Sequence, residues 1–122
     1  MSRYDFSIPQ GTDKTITFVL SVATSGKDTR TKPDLTGCTA AMQLRQKYES
    51  SLAVDTLTTE NGRLQMDADA GKITVVFTHQ LTKTYPVQRL VYDMKLISAD
   101  HTVSRVVWGT LDVLPEVTRH DD

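Results

Sequence analysis

The sequence is short of the features that announce a chemistry. It has one cysteine, Cys38, which can neither close a disulfide within the chain nor build a thiolate metal site by itself. Folding in a reducing cytoplasm is the simplest expectation. Its longest apolar runs are about three residues, where a membrane-spanning helix needs about twenty, so no membrane partner is expected. Met1-Ser2-Arg3-Tyr4-Asp5 lacks the apolar stretch of a secretory signal. The formal net charge is only −1, so nothing draws the whole chain to nucleic acid or to anionic lipid. Its basic residues are interleaved with acids, and Lys27, Arg30 and Lys32 group only loosely around Asp28 and Asp34. A nucleic-acid surface needs a basic stripe with aromatics, and none is expected here.

Catalytic and metal-binding patterns are equally sparse. His79, His101 and His120 stand apart from one another and from Cys38, without the close pairs that zinc sites use. Asp67-Ala68-Asp69-Ala70-Gly71 echoes a calcium loop but lacks the distal glutamate and flanking helices. Ser98-Ala99-Asp100-His101 holds three catalytic residue types as sequence neighbours, whereas triads are assembled from distant segments. There is no nucleophile elbow, phosphate loop or dinucleotide fingerprint. Paired carboxylates for glycoside hydrolysis leave no sequence signature, but short loops leave little room for a cleft. The expectation is a protein that is not an enzyme, with no metal and no cofactor.

What the sequence does contain is rhythm. Tyr92, Met94 and Leu96 alternate with Val91, Asp93 and Lys95, and Val107, Gly109, Leu111 and Val113 form a second apolar row after a short polar stretch around Asp100. Side chains alternate across a strand, so Leu90 to Val113 predicts a β-hairpin. Similar runs predict strands over Tyr4 to Ile8, Thr15 to Val22, Cys38 to Gln46, Val54 to Thr58, Leu64 to Met66 and Ile73 to Phe77. Ala23 to Asp34 reads as a mobile polar loop, Thr59-Glu60-Asn61-Gly62 as a tight turn, and His79 to Tyr85 as the one candidate helix, stopped by Pro86. About eight short strands with almost no helix predict an all-β fold, an antiparallel sandwich in preference to a small barrel. Residues 1–117 are read as one domain and 118–122 as a polar tail.

By the parity of the last strand, Trp108 faces outward with Val106 and Thr110. An outward tryptophan is an interface anchor; a β-bulge that reverses the parity would put it in the core instead.

The wording of several blocks is familiar. Tyr4-Asp5-Phe6-Ser7-Ile8-Pro9-Gln10-Gly11-Thr12-Asp13 resembles the "YDF-x-I-x-QG" opening of a group of small tailed-bacteriophage and prophage proteins. Asp34-Leu35-Thr36-Gly37-Cys38-Thr39-Ala40-Ala41-Met42-Gln43-Leu44-Arg45 resembles the group's "DLTGYTA-x-MQ-x-R" block, with Cys38 at the usual aromatic. Tyr92-Asp93, with Gly109-Thr110 through Pro115-Glu116-Val117-Thr118-Arg119, is similar to its "YDL" and "GT-x-x-V-x-PEVTR" ending. The resemblance implies an immunoglobulin-like sandwich in the virion: a tail, baseplate or fibre-attachment protein made in the bacterial host cytoplasm. Its partners would be other phage structural proteins and further copies of itself. It transfers no catalytic residue. Trp108, Val106, Tyr48 and Tyr85 are the candidate interface residues. A carbohydrate-binding module using Trp108, Tyr48 and Tyr85 is the alternative. A small enzyme would need His79 or His101 bonded to a buried carboxylate in a cleft.

Overall fold

Apolar side chains at every second position commit most of this chain to strands with one wet and one dry face. The structure, a computed structural model, describes residues 2–20, 22–23, 30–31 and 35–118. In chain order the strands are β1 (Ser2–Arg3), β2 (Phe6–Pro9), β3 (Lys14–Val19), β4 (Val22–Ala23), β5 (Arg30–Thr31), β6 (Thr39–Arg45), β7 (Asp55–Thr58), β8 (Leu64–Asp67), β9 (Lys72–Phe77), β10 (Arg89–Ile97) and β11 (Val103–Leu114). One helical turn, α1 (His79–Thr82), lies between β9 and β10.

The predicted hairpin is the centre of the larger sheet, ordered β1-β11-β10-β6-β7 with β2 also on β11. The smaller sheet is β3-β9-β8. The two sheets face each other as a mostly antiparallel sandwich, with the strand order of immunoglobulin-like domains. Tyr92 and Met94 of β10, Val107, Leu111 and Val113 of β11, and Ala40, Met42 and Leu44 of β6 close one side of the core. Leu64, Ile73, Val75 and Phe77 close the other. Burying each large side chain contributes about 1.5–3 kcal/mol.

Two expectations change. The N-terminal strand is split in two, and both parts run parallel to β11. First and last strands are joined through the whole domain, so no hairpin forces them antiparallel. The expected tight turn at Thr59-Glu60-Asn61-Gly62 forms, and the chain passes there from one sheet to the other. Gly62 takes the left-handed conformation at φ 79°, and the Asn61 side chain closes the turn with Thr58. Its Oδ1 accepts from the Thr58 N–H at 3.0 Å, and its own N–H donates to Thr58 Oγ1 at 3.0 Å. Second, the strand predicted through Val22 ends at Val19, and Val22–Ala23 pairs instead with Arg30–Thr31 in a small ribbon. Most of the predicted Ala23 to Asp34 loop lies outside the described residues.

The first strand, predicted to end at Ile8, runs one residue further. Pro9 is still paired, opposite Leu114 at the end of β2, an edge position where its missing N–H costs no ladder bond.

Candidate functional site

The outer face of the larger sheet carries the polar half of each strand's alternation. Cross-strand register lines up Arg3, Trp108, Asp93, Gln43 and Thr56 in one row over five strands. A second row runs Thr110, Val91 and Arg45. Trp108 stands in the first row, half-exposed and outside the core cluster.

Two guanidinium groups hold the indole. Arg3 Cζ lies 4.8 Å and Arg105 Cζ 5.4 Å from the ring centroid. Each such contact is worth about 0.5–1 kcal/mol at an exposed site, enough to order the ring without burying it. Arg3 arrives by parallel pairing with β11. Arg105 arrives by a β-bulge: Met94 pairs with Val107 and Lys95 with Arg105, so Val106 has no partner on β10. A residue three before Trp108 would otherwise face the opposite side of the sheet. The bulge turns Val106 toward the core, where it packs half-buried. The expectation that Val106 shares the outward face is therefore corrected, and the bulge spares Trp108.

Beside Trp108, Arg105 Nη1 sits 4.0 Å from Asp93 Oδ2. Arg45 donates to Gln43 Oε1 at 2.6 Å and to the Ser50 carbonyl at 2.8 Å. Gln43, Arg45, Tyr48, Val91, Asp93 and Arg105 line a shallow depression of about 130 Å³, smaller than the about 300–1,000 Å³ of small-molecule sites. Tyr48, on the β6–β7 connection, is 68% exposed. An open concavity at one end of the sandwich includes Cys38, Glu60, Leu64 and Met66 in its lining, with no histidine among the described residues there.

Tyr85 is not a surface residue. It is 2% exposed, which corrects its place among the interface and sugar-binding candidates. Its hydroxyl donates to Asp55 Oδ2, and Asp55 also holds Arg63, at 3.0 Å from Nη2. Arg63 Nε donates to the Val76 carbonyl at 3.0 Å. These groups tie the larger sheet to the smaller at one end of the sandwich, and their hydrogen bonds are what allow a phenol and a charge pair inside.

His79 meets Asp13, but as a helix start. The Asp13 carboxylate accepts from the His79 N–H at 2.6 Å and lies 2.9 Å from Nδ1. That carboxylate is 68% exposed, not the buried partner that catalysis would call for. Asp100 organises the β10–β11 loop, accepting from the Thr102 N–H at 3.0 Å and from the Ser98 hydroxyl. Those bonds lower its pKa to about 2. His101 sits in that loop with φ 69°, exposed. Asp67 caps its own turn by accepting from the Ala70 N–H at 3.2 Å. His120 lies outside the described residues.

No family model matches the chain, and no curated protein matches it closely.

Two buried phenols give a pH prediction. Burial first, then the Asp55 carboxylate, raises the pKa of Tyr85 above the ordinary tyrosine value. Burial first, then the Asp5 charge, does the same for Tyr92. A raised folded value means that the fold holds the neutral phenol. The resulting stability is complete below the unfolded value of about 10 and is lost as pH rises from there through the folded value. Urea melts from pH 8 upward should show a fall in stability beginning near pH 10, and Tyr85→Phe with Tyr92→Phe should flatten it. An equal fall in the double variant would contradict this assignment.

Proposed function

We propose that this chain is a structural or assembly protein of a tailed-bacteriophage particle, working through protein–protein contacts on the sheet face around Trp108. The observation that carries the reading is the indole itself: outward, half-exposed, and held between Arg3 and Arg105. Tryptophan and arginine are the residues most enriched in interface hot spots, and a ring already ordered loses little entropy when a partner covers it. The resemblance of the opening, central and closing blocks supports the biological setting. The partners are other structural proteins of the particle at the tail, baseplate or fibre attachment, after synthesis in the host cytoplasm.

The test is binding to the purified products of neighbouring genes, by titration calorimetry, with wild type and Trp108→Ala. The variant should keep its fold and bind one partner about 30-fold or more weakly, the effect of removing a hot spot of about 2 kcal/mol. Equal binding by wild type and variant would place the contact elsewhere.

A carbohydrate-binding role has one observation in its favour. Tyr48 walls the depression beside Gln43, Arg45 and Asp93, a pairing of aromatic and polar groups that suits a sugar. A glycan array without hits would remove this reading.

A further inference from the structure

The edges of the two sheets differ in how they are protected. β7 and β8 are edge strands of four residues each. The N-terminal edge is interrupted at Tyr4-Asp5 and finishes on Pro9, and the part of β11 that runs past β1 carries Arg105. Shortness, breaks, proline and charge are the devices that keep edges from pairing with another chain. β3 has none of them beyond its first residue. It runs Lys14-Thr15-Ile16-Thr17-Phe18-Val19, is six residues long, and among the described residues pairs only with β9.

Hydrogen-bond direction can be read from its end. The Leu20 N–H donates to the Gly71 carbonyl at 2.8 Å on the β9 side. Backbone groups alternate along an antiparallel ladder, so Lys14, Ile16 and Phe18 also bond toward β9. Thr15, Thr17 and Val19 then aim their N–H and C=O groups away from the sheet. The Thr17 and Thr74 hydroxyls meet at 3.0 Å, as expected for a cross-strand pair that is not backbone-bonded. Thr15, Thr17 and Val19 are all exposed, Val19 at 63%. Tyr4, 43% exposed, packs its ring edge-on to Phe18 at 5.5 Å on the same flank.

We propose that β3 is the dimerisation edge of this protein, pairing antiparallel with β3 of a second copy about a two-fold axis at Thr17. That register sets Thr17 opposite its own mate, Thr15 opposite Val19 and Ile16 opposite Phe18. Every outward-aimed backbone group of Thr15, Thr17 and Val19 gains a partner. Opposed residues share a face, so apolar Ile16 meets Phe18 and no like charges oppose each other. A one-residue slip would set inward against outward side chains. A second copy is the occupant that charge favours. Past Lys14 the edge carries no charge to select a basic or acidic partner, and a net charge of −1 per chain leaves two copies almost without mutual repulsion. A single short strand pair falls below the about 1,200 Å² of stable complexes, so the dimer is expected to dissociate in the micromolar range or above.

Sedimentation velocity across micromolar to millimolar concentration tests this on the full chain. Wild type should pass from monomer to dimer. Thr17→Pro removes a donor that the β9 ladder does not use, so the fold should survive while the dimer weakens about tenfold or more, past detection. In a Cys38→Ala background, Thr17→Cys should form a disulfide-linked dimer under mild oxidation, and Gln65→Cys on β8 should not. A strict monomer, a dimer indifferent to Thr17→Pro, or equal cross-linking at both cysteines would overturn the proposal. Thr17 lies on the sheet opposite Trp108, so partner binding by Thr17→Pro separates failure of this edge from failure of the Trp108 face.

Discussion

Gly109→Ala is expected to detach the N-terminal strand from the sheet. A Cβ at this position would overlap the Tyr4 carbonyl oxygen and stand 2.7 Å from Asp5 Oδ1 and 2.9 Å from the Tyr4 carbonyl carbon. Two of those atoms are backbone, so no side-chain rotation relieves the clash. The strand must move, and three hydrogen bonds depend on its position. The Tyr4 N–H donates to the Trp108 carbonyl at 2.9 Å, the Thr110 N–H donates to Asp5 Oδ1 at 2.9 Å, and the Tyr92 hydroxyl donates to the Tyr4 carbonyl. Overpacking costs about 1–3 kcal/mol and each lost hydrogen bond about 1 kcal/mol. Because a domain has only about 5–15 kcal/mol in total, local release of residues 2–9 is the cheaper response. Hydrogen exchange should show those amides losing protection while β6 and β10 keep theirs. Arg3 would leave with the strand, so Trp108 should lose one of its two cationic neighbours. Unchanged protection of residues 2–9 would contradict the close approach.

Asp55→Ala is expected to cost about 3 kcal/mol, the lower end of the range for breaking a buried ion pair. The carboxylate and the guanidinium are only 14% and 15% exposed. Its removal strands the Arg63 charge and the Tyr85 hydroxyl together. Tyr85→Phe, which deletes one hydrogen bond and leaves the ion pair, should cost about 1 kcal/mol. The informative variant is the double substitution Asp55→Ala with Arg63→Met. Without an unpaired charge to bury, it should be more stable than Asp55→Ala alone. Equilibrium urea unfolding gives all three values. If the double variant is the less stable one, the group is not coupled as described.

Period-two alternation made the hairpin and most strands legible, because a strand buried on one face writes its partner into every second residue. Tyr92, Met94, Val107, Leu111 and Val113 were readable in this way. Arg105 was not. Its place beside Trp108 depends on a bulge at Val106, and a bulge breaks the parity on which such reading rests. Arg3 was hidden because its neighbour lies at the far end of the chain, in a parallel pairing that leaves no turn in the sequence. Tyr85 misled for a related reason. It follows a polar helical turn and precedes Pro86, a surface context, and the groups that make its burial possible, Asp55 and Arg63, arrive from other strands.

The opening and closing stretches of the sequence meet in the fold. Tyr4 and Asp5 bond to the Trp108–Thr110 stretch. The Gln10 N–H donates to the Leu114 carbonyl at 2.9 Å, and the Glu116 carboxylate sits over Gly11, where a side chain would strike it. Opening and closing blocks form one clasp between the first and last strands.

The chain contains a single tryptophan, so its fluorescence reports the outer sheet face alone. The most direct measurement is acrylamide quenching of Trp108 in the free protein and in complex with a protein partner that binds it. The account predicts easy quenching in the free chain, then a blue-shifted emission and several-fold protection in the complex. A tight complex in which Trp108 is quenched as readily as in the free chain would contradict it.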